Sequence, residues 1–297
     1  MTKISIIGNC QSHDIGRAVR LGSEIVVDDW IDVSSFGTEW FEQKTSEILS
    51  KNRVEGLDIV TQTIKDARFE NLNTAELKSQ RSRIHTMTNM WFTGLHPDMT
   101  YLGGFKERIV GPLGDYHSKI VVGAFLAGLT QSECNNLFNG RFFEKVGLFD
   151  EFKQSSIEAL GRDDGNDIKA ATEILDACLE VPCFYTINHP TAAAVDILAG
   201  KICHYFENKY VNYDSRYYAS TLATGTWWPL YPEIKEVHKI KYHTPMAFKQ
   251  ADGDGGRMLT LVEFIEHSYA SYGSYGIQAM RSTEQGEHFK NLIESNL

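Results

Sequence analysis

Basic residues are scarce in this chain. Against 39 Asp and Glu stand 29 Lys and Arg, a formal net charge of −10 over 297 residues. A general nucleic-acid binder or a binder of anionic membranes needs a basic face, so both classes are set aside. An anionic cofactor would require a local cluster of Lys, Arg or backbone N–H groups. Long apolar runs are also missing. The longest, residues 120–129, falls well short of the roughly 20 residues that span a bilayer. No leader pattern is visible, because Lys3 leads straight into an apolar strand pattern. The five cysteines, Cys10, Cys134, Cys178, Cys183 and Cys203, are odd in number and form no Cys-x-x-Cys motif. That excludes a disulfide framework and the common zinc and redox spacings, and suggests reduced thiols in a cytoplasmic protein. Asp163-Asp164 lacks the alternating ligand spacing of a calcium loop, so no metal site is expected. There is no internal repeat and no low-complexity linker. With 42% hydrophobic residues, the chain can bury a core as one large domain or two modest ones.

The informative stretch is Ile4-Ser5-Ile6-Ile7-Gly8-Asn9-Cys10-Gln11-Ser12. Ile4, Ile6 and Ile7 read as a buried strand that Gly8 ends. From Gln11 onward Ile15, Ala18 and Val19 fall at helical spacing, and Gly22 reads as the stop. Residues 8–11 therefore form a tight strand-to-helix turn, the place where open α/β sheets bind ligands. A thiol there meets unpaired helix N–H groups and the positive end of the dipole, which favour a reactive thiolate. A small buried cysteine filling a turn fits the stretch equally well.

Residues 24–27 read as a second strand ending at Asp28-Asp29, residues 37–52 as a helix, and residues 57–62 as a third strand. This alternation predicts a parallel sheet with right-handed crossovers. It puts Gln62 on the same sheet edge as Cys10. Residues 71–83 are expected to be helical, with Lys78, Arg81 and Arg83 as a rare basic cluster, and residues 84–92 to return to the sheet. Gly103-Gly104 reads as a turn. Beyond about residue 110 the pattern turns mainly helical, with helices expected over 149–160 and 167–179 and capping boxes at Thr130 and Thr260. Residues 183–187 read as a short strand, with Pro190 at the first position of a helix carrying Val195, Leu198, Ile202 and Tyr205. His189 then lies in a second strand-to-helix turn. Residues 213–232 are aromatic and turn-rich, and the final helix begins near Thr283. The fold class is α/β: an N-terminal parallel sheet with flanking helices, a flavodoxin-like or SGNH-like subdomain over residues 1–110, and a mainly helical portion over 111–297.

Several motifs, taken in order, resemble the WcbI family of polysaccharide-biosynthesis proteins. They are Gly8-Asn9-Cys10-Gln11, Asp58-Ile59-Val60-Thr61-Gln62, His96-Pro97-Asp98, Asp115-Tyr116-His117-Ser118 and Asn188-His189-Pro190. The resemblance runs from Ile4 to about Tyr272. It implies a coenzyme A-binding acetyltransferase that takes acetyl-CoA as cosubstrate and a carbohydrate or polysaccharide precursor as acceptor. It implies Cys10, His189 and His117 as the catalytic candidates. Gly8, Asn9, Gln11, Gln62, Arg81, Lys106, Tyr116, Ser118 and Lys119 are the coenzyme-binding candidates, with Arg83 a further phosphate contact. The turn also resembles the Gly-Asp-Ser nucleophile turn of SGNH hydrolases, with Asn9 for Asp and Cys10 for Ser. Those enzymes carry an Asp three residues before the catalytic His, and this chain has Thr186 there.

Two transfer routes follow. Cys10 carries the acetyl group as a thioester, with a histidine as base, or the histidine activates the sugar hydroxyl directly and Cys10 only shapes the pocket. Backbone N–H groups after Gly8 and the Gln62 amide are the expected oxyanion donors. The alternatives are an SGNH-like glycan esterase or deacetylase, and a non-catalytic coenzyme A or sugar-nucleotide binding module whose turn holds phosphate.

Overall fold

The computed structural model describes residues 2–104, 107–212 and 220–297, without the side chains of residues 67 and 70. It divides into two compact units that interleave in sequence. One comprises Met1–Trp91, Ile157–Phe184 and Asn188–Leu222; the other comprises Phe92–Ser156, Tyr185–Ile187 and Ala223–Leu297. A single cut near residue 110 does not describe this division.

The first unit is built on a four-stranded parallel sheet, β1 (Lys3–Gly8), β2 (Val26–Asp32), β3 (Asp58–Gln62) and β4 (Ile84–Met87), in the order β2-β1-β3-β4. Both faces of β1 are covered, so Ile4, Ile6 and Ile7 are all fully buried, and the strand reads as a continuous apolar run rather than an alternation. Three helices connect the strands: α1 (Ser12–Gly22), α2 (Glu39–Glu55) and α3 (Thr74–Gln80). Ile7, Ile31, Phe41, Ile48, Ile59, Leu72 and Leu77 form one core cluster. On α1, Gly16 lies against Ile6, Val27 and Trp30, where a Cβ would sit 3.2 Å from the indole. The chain passes from β1 to β2 on one side and then to β3 and β4 on the other. The carboxyl ends of β1 and β3 are thus the topological switch point, where ligands bind in sheets of this kind.

Several boundaries differ from expectation. The second strand continues through Trp30 and Ile31 to Asp32. Asp28 and Asp29 do not end it because Lys3, Lys44 and Lys51 pair with them. Residues 167–170 are not helical. Ile168 pairs in parallel with Met87 and exchanges backbone hydrogen bonds with Thr86 and Thr88. The helix begins instead at Ala171, with Asp163 accepting from the Ala170 and Ala171 N–H groups. Residues 183–187 form no strand. Phe184 makes an isolated bridge to Pro190, and Thr191 N donates to Cys183 O. Thr191 is the N-cap of the helix Ala192–Tyr205, so Pro190 precedes that helix rather than opening it.

The second unit is mainly helical around two short antiparallel hairpins, Met99–Tyr101 with Tyr116–Ser118 and Phe248–Lys249 with Met258–Leu259. The capping boxes expected at Thr130 and Thr260 are both present. Among the described residues, no helix is long and apolar enough to cross a membrane.

Candidate active site

The turn after β1 is locked by a buried amide network within the first unit. Asn9 N donates to Gln62 Oε1 at 2.9 Å, and Gln62 Nε2 donates to Gln11 Oε1 at 2.8 Å. Gln11 Nε2 then donates to two carbonyls, those of Met90 and Asn188, each at 2.8 Å. Gln11 is wholly buried, and these partners use both hydrogens of its amide. One side chain therefore ties the Cys10 turn to the end of β3, to the chain after β4 and to the segment carrying His189. Gly8 is required for the same reason: a Cβ there would sit 2.9 Å from Gln62 Oε1.

The turn also satisfies most of its own backbone. Gln11 N donates to Asn9 Oδ1 at 3.1 Å and Ser12 N to Asn9 O at 2.9 Å. With Asn9 N held by Gln62, these N–H groups are not oxyanion donors in this state. The Cys10 N–H stabilises the Cys10 thiolate, and is the turn donor these bonds leave available. Gln11 and Gln62 brace the site from within, and neither displays a row of open ligand-facing donors.

The electrostatics at Cys10 run against the local argument. Burial, joined by the carboxylates of Asp32 and Asp14, pushes its thiol up to about 12 against the opposing effect of its own backbone N–H. Asp32 stands opposite Gly8 in the β1–β2 register. Asp14, in the first turn of α1, is fully buried. It accepts hydrogen bonds from Ser220 Oγ at 2.6 Å, Thr221 N at 3.1 Å and Thr221 Oγ1 at 2.9 Å. The resting cysteine is therefore a neutral thiol, in place of the thiolate that a helix N-terminus alone would favour. Neither aspartate was apparent from sequence. Nor was His13, whose ring packs edge-on against Trp30 at 4.8 Å.

His189 belongs to the same unit as Cys10, next to the Asn188 carbonyl that Gln11 holds. Burial lowers its pKa to about 4, so its imidazole is neutral at neutral pH, the form a general base requires. His117 belongs to the second unit. Its Nε2 lies 2.8 Å from Ile109 O and its Nδ1 2.9 Å from Tyr272 Oη. The carbonyl can only accept, which fixes Nε2 as the protonated nitrogen and Nδ1 as acceptor from the tyrosine. Both nitrogens are thereby used in packing, and burial lowers this pKa to about 4 as well.

The remaining expected ligand residues divide between the two units. Ser118 accepts from Val121 N at 3.0 Å as the N-cap of the helix Lys119–Leu126. It also bonds Asp98, whose carboxyl is raised to about 6 by burial. Tyr116 stacks on Tyr101 at 5.2 Å, with Arg108 over the other ring at 3.9 Å. The Lys119 N–H bonds Asp98 O at 2.8 Å. Arg83 is paired with Asp58, whereas Arg81 donates to Leu49 O at 2.7 Å. Lys106 lies outside the described residues. Among the described residues, no three His, Cys, Asp or Glu side chains are grouped to hold a metal ion.

No curated protein matches the chain. A solved structure of WcbI does. It is described as a polysaccharide biosynthesis enzyme, in native form without a disulfide bond between coenzyme A and one of its cysteines. It is 18% identical and covers 99% of this chain and 95% of its own, with a TM-score of 0.74. At that identity the likeness is one of fold. The model of the polysaccharide biosynthesis enzyme WcbI matches residues 3–207. That span takes in the whole sheet, the Cys10 turn and the His189 segment, and the chain belongs to the WcbI family of polysaccharide biosynthesis enzymes.

Proposed function

We propose that the protein is an acyl-coenzyme A-dependent O-acyltransferase, with acetyl-CoA as donor and a sugar hydroxyl as acceptor. The observation that carries this reading is the Gln11 amide. It holds the Cys10 turn and the His189 segment together at the β1/β3 switch point. The solved relative, described as native protein without a disulfide bond between coenzyme A and one of its cysteines, supports placing the thiol end of the coenzyme beside Cys10.

Of the two transfer routes, the electrostatics favour the direct one. Burial pushes the Cys10 thiol up to about 12 and the His189 imidazole down to about 4, so both groups are neutral at rest, and the direct route is the one that needs no preformed thiolate. In the direct route His189 takes the proton of the acceptor hydroxyl as its oxygen bonds to the acetyl carbon. The carbon–sulfur bond breaks, and the proton passes to the departing coenzyme thiolate. Cys10 shapes the pocket, and its backbone N–H faces the developing oxyanion, a contact worth roughly 3 kcal/mol in such sites.

The test is calorimetric titration with coenzyme A and acetyl-CoA, followed by acetyl transfer to a panel of sugars. Saturable binding of both and product carrying an acetyl mass are expected. No binding at millimolar coenzyme would overturn the reading.

A further inference from the structure

A groove lies within the first unit along α2, formed against the 3-10 segment Ala67–Leu72 and the chain after α3. It comprises two adjoining cavities of about 340 Å³ each, which share Glu42, Thr45 and Asn71. Each is in the size range of small-molecule sites. One end is cationic. Arg53 and Arg81 both line it, with the hydroxyls of Ser46 and Ser50 beside them. Residues 46, 50 and 53 recur at helical spacing on one face of α2. Arg81 is part-buried and aimed by its bond to the Leu49 carbonyl at 2.7 Å. In a chain of net charge −10, where Lys3, Lys44, Lys51, Arg68 and Arg83 of this unit all pair with carboxylates, neither Arg53 nor Arg81 has such a partner among the described residues. Burial lowers the pKa of Arg81, and the charge of Arg53 lowers it further, as expected of a neighbouring cation.

The other end is aromatic. Phe36 is 46% exposed and meets Phe41 and Phe69 edge-on at 5.5 and 5.1 Å, so part of its surface is open to a planar group. Between the two ends stands Glu42, which makes no ion pair among the described residues and lines both cavities. The order along the groove is an aromatic wall, then a carboxylate with an amide, then hydroxyls and two arginines. That order matches base, ribose and phosphates: a carboxylate accepts from ribose hydroxyls in dinucleotide sites, and arginines hold phosphate through paired N–H donors. From Glu42 to Arg53 the helix rises about 16 Å, and the Arg53 side chain leans back toward the helix N-terminus. That leaves room for two phosphates rather than one.

We propose that this groove binds a nucleoside diphosphate, either as the nucleotide end of the coenzyme or as a nucleotide-activated sugar. The assignment does not depend on the acyltransferase reading. Calorimetric titration of the full chain with ADP, UDP and inorganic phosphate tests it, alongside Arg53→Gln and Ser50→Glu, two exposed positions that can be changed without disturbing the core. Saturable nucleotide binding is expected, tighter than that of phosphate. Each variant should weaken it about tenfold or more, the loss of one charge-assisted contact. Competition then separates the sources. Displacement of the nucleotide by coenzyme A identifies the coenzyme's own nucleotide end, and simultaneous binding identifies a nucleotide-activated sugar. Absence of nucleotide binding at millimolar concentration overturns the proposal, as does binding that both variants leave unchanged. Failure of coenzyme A alone to bind would count against the acyltransferase and leave the groove standing.

Discussion

Replacing Gln11 by leucine separates hydrogen bonding from volume, because leucine fills a similar space without polar atoms. The wild-type side chain makes three bonds of 2.8 Å, to Met90 O, Asn188 O and Gln62 Nε2, and a longer one of 3.4 Å from Met90 N. In Gln11→Leu each abandoned partner stays inside the protein, at a cost of roughly 1–3 kcal/mol apiece. Allowing some relaxation, the loss is about 3–5 kcal/mol. For a chain of 297 residues that corresponds to a fall in Tm of about 5–8 °C, read by differential scanning calorimetry. Gln62→Leu leaves the Asn9 N–H unpaired and Gln11 Oε1 with only the longer Met90 N contact and should cost about 2–3 kcal/mol. The two substitutions delete one bond in common, so the double variant should be more stable than the sum of the singles implies by about 1 kcal/mol. A Tm loss below about 2 °C for Gln11→Leu, or strict additivity of the pair, would refute the idea that this amide network holds the site together.

The other expectations concern charge. Cys10→Ala should keep transfer within about tenfold of wild type under the direct route, and no acetyl mass should be trapped on the wild-type protein; an inactive variant would restore the thioester route. His189→Gln should bind coenzyme A normally yet lose about 10²–10⁴ in kcat. Because burial lowers His189 to about 4, a base role for it predicts a wild-type kcat that falls only as pH drops toward 4, and a limb near 6.5 would rule His189 out. His117 is likewise depressed to about 4 by burial, so its contribution to stability is complete above about 6.5 and is lost as pH falls from there toward 4. His117→Gln should remove on the order of 3 kcal/mol from the acid-induced decline, seen in urea midpoints measured across that window; an identical decline in the variant would sink the assignment. Asp32→Asn keeps an oxygen for the Ser34 N–H but removes a charge that raises the Cys10 thiol. Iodoacetamide should then alkylate Cys10 faster at pH 8, with little background because the other four cysteines are fully buried. An unchanged rate would mean that burial alone sets this thiol.

What could be read from sequence was whatever depends on neighbours along the chain. Ile4, Ile6 and Ile7 before Gly8 define the strand and its turn, and the β-α-β-α-β alternation carries Gln62 to the same edge. Capping boxes are complete within four residues, so Thr130 and Thr260 were legible too. Errors arose where distant residues decide. Asp28-Asp29 looks like a strand end until Lys3, Lys44 and Lys51 arrive from β1 and α2 to pair with it. Residues 167–170 take an extended course because the edge of β4 offers backbone partners. The same division governs the chemistry at Cys10. The positive end of α1 is a local property and favours a thiolate. The opposing terms arrive through the fold, since burial requires the packed sheet and Asp32 reaches the site only because β2 runs on to stand beside Gly8. A strand ending at Asp29 would have kept that carboxylate from the register position opposite Gly8. The two unexpected residues that bridge the strand's early end to Asp32, Trp30 and Ile31, thus help decide whether this family member begins its reaction from a thiol or from a thiolate.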